Sequence, residues 1–422
     1  MTLLYNFAIA IFYLGFLVAS LFNSKAKKII KGHRRLFRKL KEAIGEEDNI
    51  LWFHAASTGE FEQGRPVIEA IRQKYPQYKI LLTFFSSSGY EAKKNYQGAD
   101  YIFYMPFDFS WNARLFYRIV RPKAVFIIKY EFWYNFINVA RKKNIPIFCF
   151  SAIFRPGQVF FKWYGGWYKN ILRKFTCIFV QNADSLYLLN AEGIKNVVVC
   201  GDTRFDRVNQ IAVQSKNLPL IENFVQNAQQ VIIAGSTWPA DEELLVAYFN
   251  KKSDGKPSLK MIIVPHEIDD ENHLNELIRS FNCPSVRYSA ISESTDISNF
   301  RVLIIDTIGI LSSVYRYGYF AYIGGGFGKG IHNILEAATY GIPVVFGPKY
   351  KKFQEAVELI DRKGAFSIDN LDDMENIFDK LLNNKDFYQS ACGVCRKYVE
   401  ENLGSTEKFL QYVSPLIFSD SK

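Results

Sequence analysis

Short apolar runs rich in β-branched and aromatic residues recur between stretches of helical spacing from residue 50 onward, and this rhythm narrows the fold more than any other feature of the chain. "NILWFHA", "YKILLTFFS", "AVFIIKYE", "IPIFCFSA", "CIFVQN" and "NVVVCGD" form one series; "QVIIAGST" (230–237), "LKMIIVPHE", "FRVLIIDTIG", "YFAYIGGG" and "GIPVVFGP" form a second. Strands covered on both faces read as continuous apolar runs, and their alternation with helices points to parallel sheets built from strand-helix-strand units. Between the two series, "RVNQIAVQSKNLPLIENFVQNAQ" is polar and less regular. The expected fold class is α/β: two doubly wound, Rossmann-like domains over residues 45–205 and 228–395, a connector at 206–227, and a C-terminal helical segment, 396–422. A ligand cleft is expected where the strand ends of the two domains face each other. The length of 422 residues agrees with two domains plus a further element.

That further element is "TLLYNFAIAIFYLGFLVASLF", residues 2–22, which carries no charged side chain and is long enough to cross a hydrocarbon core as a helix. A cleaved signal peptide would place its basic residues in front. Here Lys or Arg occupies positions 25, 27, 28, 31, 34, 35, 38, 39 and 41, all behind the apolar run. The reading is therefore a membrane anchor, 1–23, followed by a basic juxtamembrane segment, 24–44. Positive residues on that side keep the body of the protein in the cytoplasm and draw it toward anionic lipid headgroups of the membrane. The same cluster accounts for nearly all of the formal net charge of +10, so the rest of the chain is almost neutral. A broad basic groove is absent, which argues against a nucleic-acid partner. Six cysteines suit a reducing compartment, and Cys392 and Cys395 form a lone C-x-x-C with no second Cys/His pair nearby, so no metal site is expected.

In the second series, "YFAYIGGG" runs into "GGGFGKGIHNILEAATYGIPVVFGP". Glycines 324, 325, 326, 328 and 330 let a backbone approach a ligand closely, and a helix beginning near His332 would offer N–H groups to an anion. No G-x-G-x-x-G is present, and Gly330 follows Gly328-Lys329 where a P-loop needs Ser or Thr. The run is either a phosphate-binding loop or simply a tight turn. Asn333 and Glu336, at i and i+3, share a helix face suited to ribose hydroxyls. Gly235-Ser236-Thr237 precedes an acidic helix start, Asp241 to Glu243; Pro265-His266 follows "MIIV"; "DTIGIL" (306–311) holds Gly309 at a point where a helix could open. Taken singly, each is a turn or a cap; four at strand ends of one domain outline a ligand site. The first domain contributes carboxylates. Glu60 lies in "FHAASTGEFEQGRP", at a strand-to-helix turn ahead of a helical pattern from Pro66 to Arg72, and Glu131 follows "AVFIIKY". An acid near a helix N-terminus gains about 0.3–1 kcal/mol from the macrodipole. Acid-base work on a hydroxyl is the functional reading, and spacing leaves both open.

The anchor, "HAASTGEF", "YEFWYN", "GST", "VPHE", "GIL" and "GIHNILEAATYGIPVVFGP", in this order, resemble the 3-deoxy-D-manno-octulosonic acid (Kdo) transferases of lipopolysaccharide assembly, from the anchor to about residue 360. The resemblance implies the two-domain glycosyltransferase B fold. It also implies transfer of Kdo from CMP-Kdo to a lipid A precursor with inversion, without metal or other cofactor, at the cytoplasmic face of the inner membrane. Glu60 then matches the family's catalytic base and Glu131 an acidic position on the acceptor side. Ser236, Thr237, His266, Gly309, Ile310, Leu311, Gly326, Lys329, Asn333 and Glu336 fall on its CMP-sugar-binding segments. Three positions depart from the pattern. His266 stands where many relatives carry Arg, which leaves the phosphate contact to Lys329 or Arg204; Tyr134 follows Trp133 where relatives often have Pro; and Lys129 replaces a common glutamate. The alternatives are a UDP-sugar-dependent glycosyltransferase or epimerase of the same fold, and a non-catalytic nucleotide- or lipid-binding membrane protein.

Overall fold

The computed structural model describes residues 1–215, 217–253, 255–256, 258–292 and 295–418; positions 419–422 of the C-terminal segment lie outside the described residues. The chain divides into two compact units, one formed by residues up to Arg207 together with the segment from Leu403 onward, the other by Val208–Asn402.

The first unit holds β1 (Ile50–Ala55), β2 (Lys79–Phe84), β3 (Tyr101–Tyr104), β4 (Ala124–Ile128), β5 (Ile147–Ala152), β6 (Cys177–Val180) and β7 (Val197–Val199) in one parallel sheet, ordered β3-β2-β1-β4-β5-β6-β7. Along β1, Ile50 and Trp52 enter one core layer while Leu51, Phe53 and Ala55 enter the other. Helices therefore cover both faces, as a parallel sheet requires. The strand order reverses between β1 and β4, which pair directly with Trp52 opposite Val125. The C-terminal helix, Ser405–Ile417, belongs to this unit. Its Phe409 packs on Phe126, Phe150 and Phe179, and Asp206 accepts hydrogen bonds from the amides of Gly404 (2.7 Å) and Thr406 (2.6 Å).

The second unit repeats the plan with β8 (Gln230–Thr237), β9 (Leu259–Pro265), β10 (Ser285–Arg287), β11 (Val302–Ile304), β12 (Phe320–Ile323), β13 (Val344–Phe346) and β14 (Ala365–Ser367), ordered β10-β11-β9-β8-β12-β13-β14. All pairs are parallel, and here the order reverses between β8 and β12. The α/β class with two doubly wound sheets is as expected. The polar stretch 206–227 is mostly helical, covered by Thr203–Gln214 and Pro219–Val225.

Three helices precede β1: α1 (Thr2–Ala19), α2 (Ser24–His33) and α3 (Leu36–Ala43). α1 is long and apolar enough to cross a membrane. Leu3, Phe7, Ile11, Leu14 and Val18 form an exposed stripe at helical spacing. The opposite face rests on the first unit, where Tyr13 meets Phe107 (4.9 Å between ring centroids), Phe12 and Phe16 meet Phe85 (5.9 and 5.8 Å), and Tyr5 meets Trp167 (5.3 Å).

A buried carboxylate fastens this face. Asp108 accepts hydrogen bonds from the Tyr5 hydroxyl (2.6 Å) and from the amides of Asn135 and Phe136 (3.0 Å each), the first turn of the helix Tyr134–Lys142. Burial pushes its carboxyl up to about 7, against the lowering effect of those three donors. A raised carboxyl binds a proton in the folded chain at pH values where the unfolded chain has released it, so stability declines as pH rises from about 4 to 7. Asp108→Asn is expected to flatten that decline. Urea midpoints of wild type and variant at pH 5 and 7.5 measure it, and parallel pH dependences would contradict the assignment.

Candidate active site

α4 (Thr58–Lys74) begins eight residues before Pro66, where the sequence pattern had placed its start. The Ser57 hydroxyl caps it by accepting from the Glu60 amide (3.4 Å), which makes Glu60 the third residue of the helix instead of part of a preceding turn. Pro66 is accommodated inside the helix. The Glu60 carboxylate turns back to accept the Ala56 amide at 2.6 Å. Burial raises its proton affinity above that of an ordinary carboxylate and the neighbouring Glu131 charge raises it further, while the Ala56 amide, His54 and Lys129 oppose the shift.

Glu131 follows β4, so the two acids flank the β1/β4 reversal, where doubly wound sheets bind ligands at the carboxyl ends of their strands. Lys129 adopts the left-handed backbone region (φ 63°), as do Ser151 on β5 (φ 53°) and, in the second unit, Ser236 on β8 (φ 54°). Non-glycine residues in this region hold local strain of the kind that gathers at functional sites. The Trp133 indole donates to Glu131 Oε2 at 2.8 Å, and His54 Nε2 lies 3.7 Å from the same oxygen. His54 itself escaped the motif reading. Its place in a fully buried strand reads as core, and the signal would have been its neighbourhood to "GEF" in "FHAASTGEF".

In the second unit, Ser236 and Thr237 end β8, His266 follows β9, and the glycine loop follows β12, which gathers three of the four expected turns at one reversal of strand order. Thr237 gives its hydroxyl proton to Glu242 (2.8 Å), leaving Ser236 as the hydroxyl with no hydrogen-bond partner among the described residues. A side chain on Gly324 would collide with the backbone of Ser236 and Thr237, and one on Gly326 with that of Gly347. Gly326 is thus buried in packing, whereas Lys329 is exposed at the loop's tip. Gly309 takes a positive φ of 95°, after which Ile310 leads into a single helical turn, Leu311–Val314. Leu311 Cδ1 would lie 3.0 Å from a Cβ placed on Gly235, so the "GIL" segment also reaches the end of β8.

Asp241 anchors the arrangement. Its buried carboxylate accepts hydrogen bonds from the amides of Trp238 and Gly325 (2.9 Å each) and from the Tyr322 hydroxyl (2.7 Å). The sequence showed it only as part of an acidic helix start. Rings of Trp238, His266 and His332 stack in series, with centroids 4.7 and 4.4 Å apart, and the Trp238 indole donates to His332 Nε2 at 3.1 Å. That bond requires a lone pair on His332 Nε2, and burial followed by repulsion from His266 lowers the proton affinity of this ring. The helix expected from His332 starts instead at Leu335 and ends at Ala338, because Asn333 Oδ1 accepts the Leu335 amide (3.2 Å) and Gly341 turns the chain with φ 69°. Asn333 Nδ2 donates to Glu336 Oε1 at 3.0 Å, which pairs the two residues as their spacing suggested. Arg204, one of two substitutes for the missing arginine, is tied to buried Asp202 at 2.7 Å in the first unit. Among the described residues no group of three or more His, Cys, Asp or Glu is placed to hold a metal ion.

Comparison with known proteins adds an independent finding. The family model described as 3-deoxy-D-manno-octulosonic-acid transferase (kdotransferase) matches residues 31–207. The chain is 27% identical over 349 residues to the 3-deoxy-D-manno-octulosonic acid transferase of Aquifex aeolicus strain VF5, covering 82% of this chain and 89% of the relative. It is 26% identical over 393 residues to the enzyme of the same description from Rickettsia bellii, covering 89% and 92%. Among solved structures, the UDP-GlcNAc 2-epimerase of Neisseria meningitidis shares the fold with a TM-score of 0.61 at 15% identity, over 86% of this chain and 98% of that one. A glycosyltransferase of Rickettsia africae does so with 0.56 at 15% identity, over 88% and 99%.

Proposed function

We propose that this chain, a glycosyltransferase of the Kdo transferase family, moves Kdo from CMP-Kdo to a lipid A precursor at the cytoplasmic face of the inner membrane, with Glu60 as general base. The observation that carries the proposal is the place of Glu60: a half-buried carboxylate on the first turn of α4, at the strand-order reversal, with its proton affinity raised by burial and by Glu131. Such a group is a stronger base than a solvated carboxylate.

In the proposed step, the acceptor hydroxyl gives its proton to Glu60 while its oxygen bonds the anomeric carbon of Kdo. The bond from that carbon to the CMP phosphate oxygen breaks, and the phosphate departs with the electron pair. Attack opposite the leaving group inverts the anomeric centre. Charge growing on the phosphate is met by the Ser236 hydroxyl and nearby amides, with His266 and Lys329 as the available basic side chains, so the proposed chemistry uses no metal. Asn333 and Glu336 are assigned to the ribose, and Gly309, Ile310, Leu311 and Gly326 shape the pocket by backbone. The exposed stripe of α1 is assigned to the lipid phase, with the basic residues of α2 and α3 beside anionic headgroups.

Mass spectrometry of lipid products formed from CMP-Kdo and a lipid A precursor tests the reading directly, the expected product being the precursor plus Kdo. CMP at a hundredfold excess over its dissociation constant is expected to stabilise the protein by about 2.7 kcal/mol, and UDP at equal concentration by less. Stronger protection by UDP would favour a UDP-sugar enzyme of the same fold.

A further inference from the structure

We propose that His54 is a positioning residue that, with a proton on Nε2, holds Glu131 Oε2 as an ion pair, leaving the other carboxylate oxygen for the acceptor. The inference rests on the assignment of Glu131 to the acceptor side. It starts from an orphan: His54 is 1% exposed, and its Nε2 has no hydrogen-bond partner among the described residues. A buried polar nitrogen left unpaired costs stability unless something meets it.

The other ring nitrogen fixes the tautomer. Nδ1 lies 3.1 Å from the Thr83 carbonyl oxygen and 2.9 Å from Thr83 Oγ1. A carbonyl can only accept, so Nδ1 carries hydrogen. Thr83 Oγ1 already receives the Trp52 indole proton at 2.8 Å, and its own hydroxyl faces the Phe53 carbonyl at 3.3 Å, which leaves it as an acceptor toward His54 as well. With hydrogen on Nδ1, a neutral ring presents a lone pair at Nε2. That lone pair would face Glu131 Oε2 across 3.7 Å, two electron-rich atoms opposed inside the protein. One proton between them turns this repulsion into a charge-assisted contact. Water is a poor substitute: the cavity beside His54, bounded by Trp52, Met105, Tyr117 and Trp133, measures about 10 Å³, at the lower limit for one molecule.

Glu131 Oε2 is then held twice, by the Trp133 indole and by His54, whereas Oε1 has no hydrogen-bond partner among the described residues. An acceptor hydroxyl or amine meets a carboxylate oxygen already fixed in direction. The ionisable groups around this cluster are Glu60 of α4, Lys129 beside Glu131 and the thiol of Cys149, which burial keeps uncharged; the buried Tyr117 phenol, also uncharged, lines the cavity beside His54. Positive charge at His54 favours ionised Glu60, so one proton links the acceptor contact to the proposed base.

Two substitutions separate positioning from packing. His54→Asn retains a donor toward Thr83 and removes the group facing Glu131; His54→Gln extends an amide donor toward Glu131 without charge. With the full-length enzyme, His54→Asn is expected to lower kcat/KM for the acceptor by about 10- to 100-fold, with the donor KM unchanged and His54→Gln recovering most of the loss. Wild-type acceptor kinetics in a folded His54→Asn protein would overturn the proposal. A second readout needs no turnover. In histidine-labelled protein, the Nε2 nitrogen resonance of His54 is expected to move on Glu131→Gln while Nδ1 stays, and an Nε2 signal indifferent to that change would also overturn it. Failure of wild type to transfer Kdo, with the resonance still responding, would refute the proposed function and leave the His54–Glu131 link intact.

Discussion

Glu60→Gln is expected to slow transfer by about 10²- to 10⁴-fold in kcat, the usual contribution of a positioned general base. The substitution is close to isosteric and keeps an oxygen for the Ala56 amide, so the first turn of α4 and its Ser57 cap should persist. Removal of the negative charge takes away the proton acceptor and nothing else of comparable size. The measurement is initial rate at saturating CMP-Kdo and lipid acceptor, alongside thermal unfolding and CMP protection. Loss of rate with both of the latter unchanged supports base catalysis. Turnover near wild type would remove Glu60 from the chemistry and return it to the role of a helix-end acid.

Gly324→Ala is expected to destabilise the second unit and abolish CMP protection. A methyl group at this position would lie 2.6 Å from Thr237 Cα and 2.8 Å from the Ser236 carbonyl carbon, both backbone atoms that no rotamer change can move. Overpacking typically costs about 1–3 kcal/mol, and in a unit of this size each kilocalorie shifts the unfolding temperature by about 2–4 °C. Relief of the clash must push the end of β8 away from β12, carrying Ser236 out of its left-handed conformation. Gly328→Ala is the control, since a Cβ there meets its nearest neighbour at 3.5 Å. Equal melting temperatures and equal CMP protection for the two variants would show that the close approach of β8 and β12 does not shape the nucleotide site.

The central strands of both sheets were legible because burial on two faces leaves continuous apolar runs such as "AVFII" and "KILLTF". Strands β3, β10 and β14 went unread, and all three lie at sheet edges. All three are short and partly exposed: Ser285–Arg287 and Ala365–Ser367 carry no apolar run, and that of Tyr101–Tyr104 spans only four residues. The early start of α4 was hidden by Gly59 and Pro66, both poor helix residues, although Ser57 supplied a capping signal. The return of the helix Ser405–Ile417 to the first unit was equally hidden, since an amphipathic pattern names a buried face without naming its partner. At the candidate site, acids and glycines stood out through spacing. His54, Trp238 and Asp241 did not, because their roles depend on contacts across strands that are distant in sequence, such as His54 with Thr83 and Asp241 with Gly325.

Phe85 touches Phe12 and Phe16 of α1 on one side and Trp133, the partner of Glu131, on the other (5.2 Å between centroids). A single aromatic ring thus joins the helix assigned to the lipid phase to the carboxylate assigned to the acceptor. On the proposed assignments, a shift of α1 against the first unit would be felt at Trp133 and hence at the Glu131 carboxylate, through ring contacts alone.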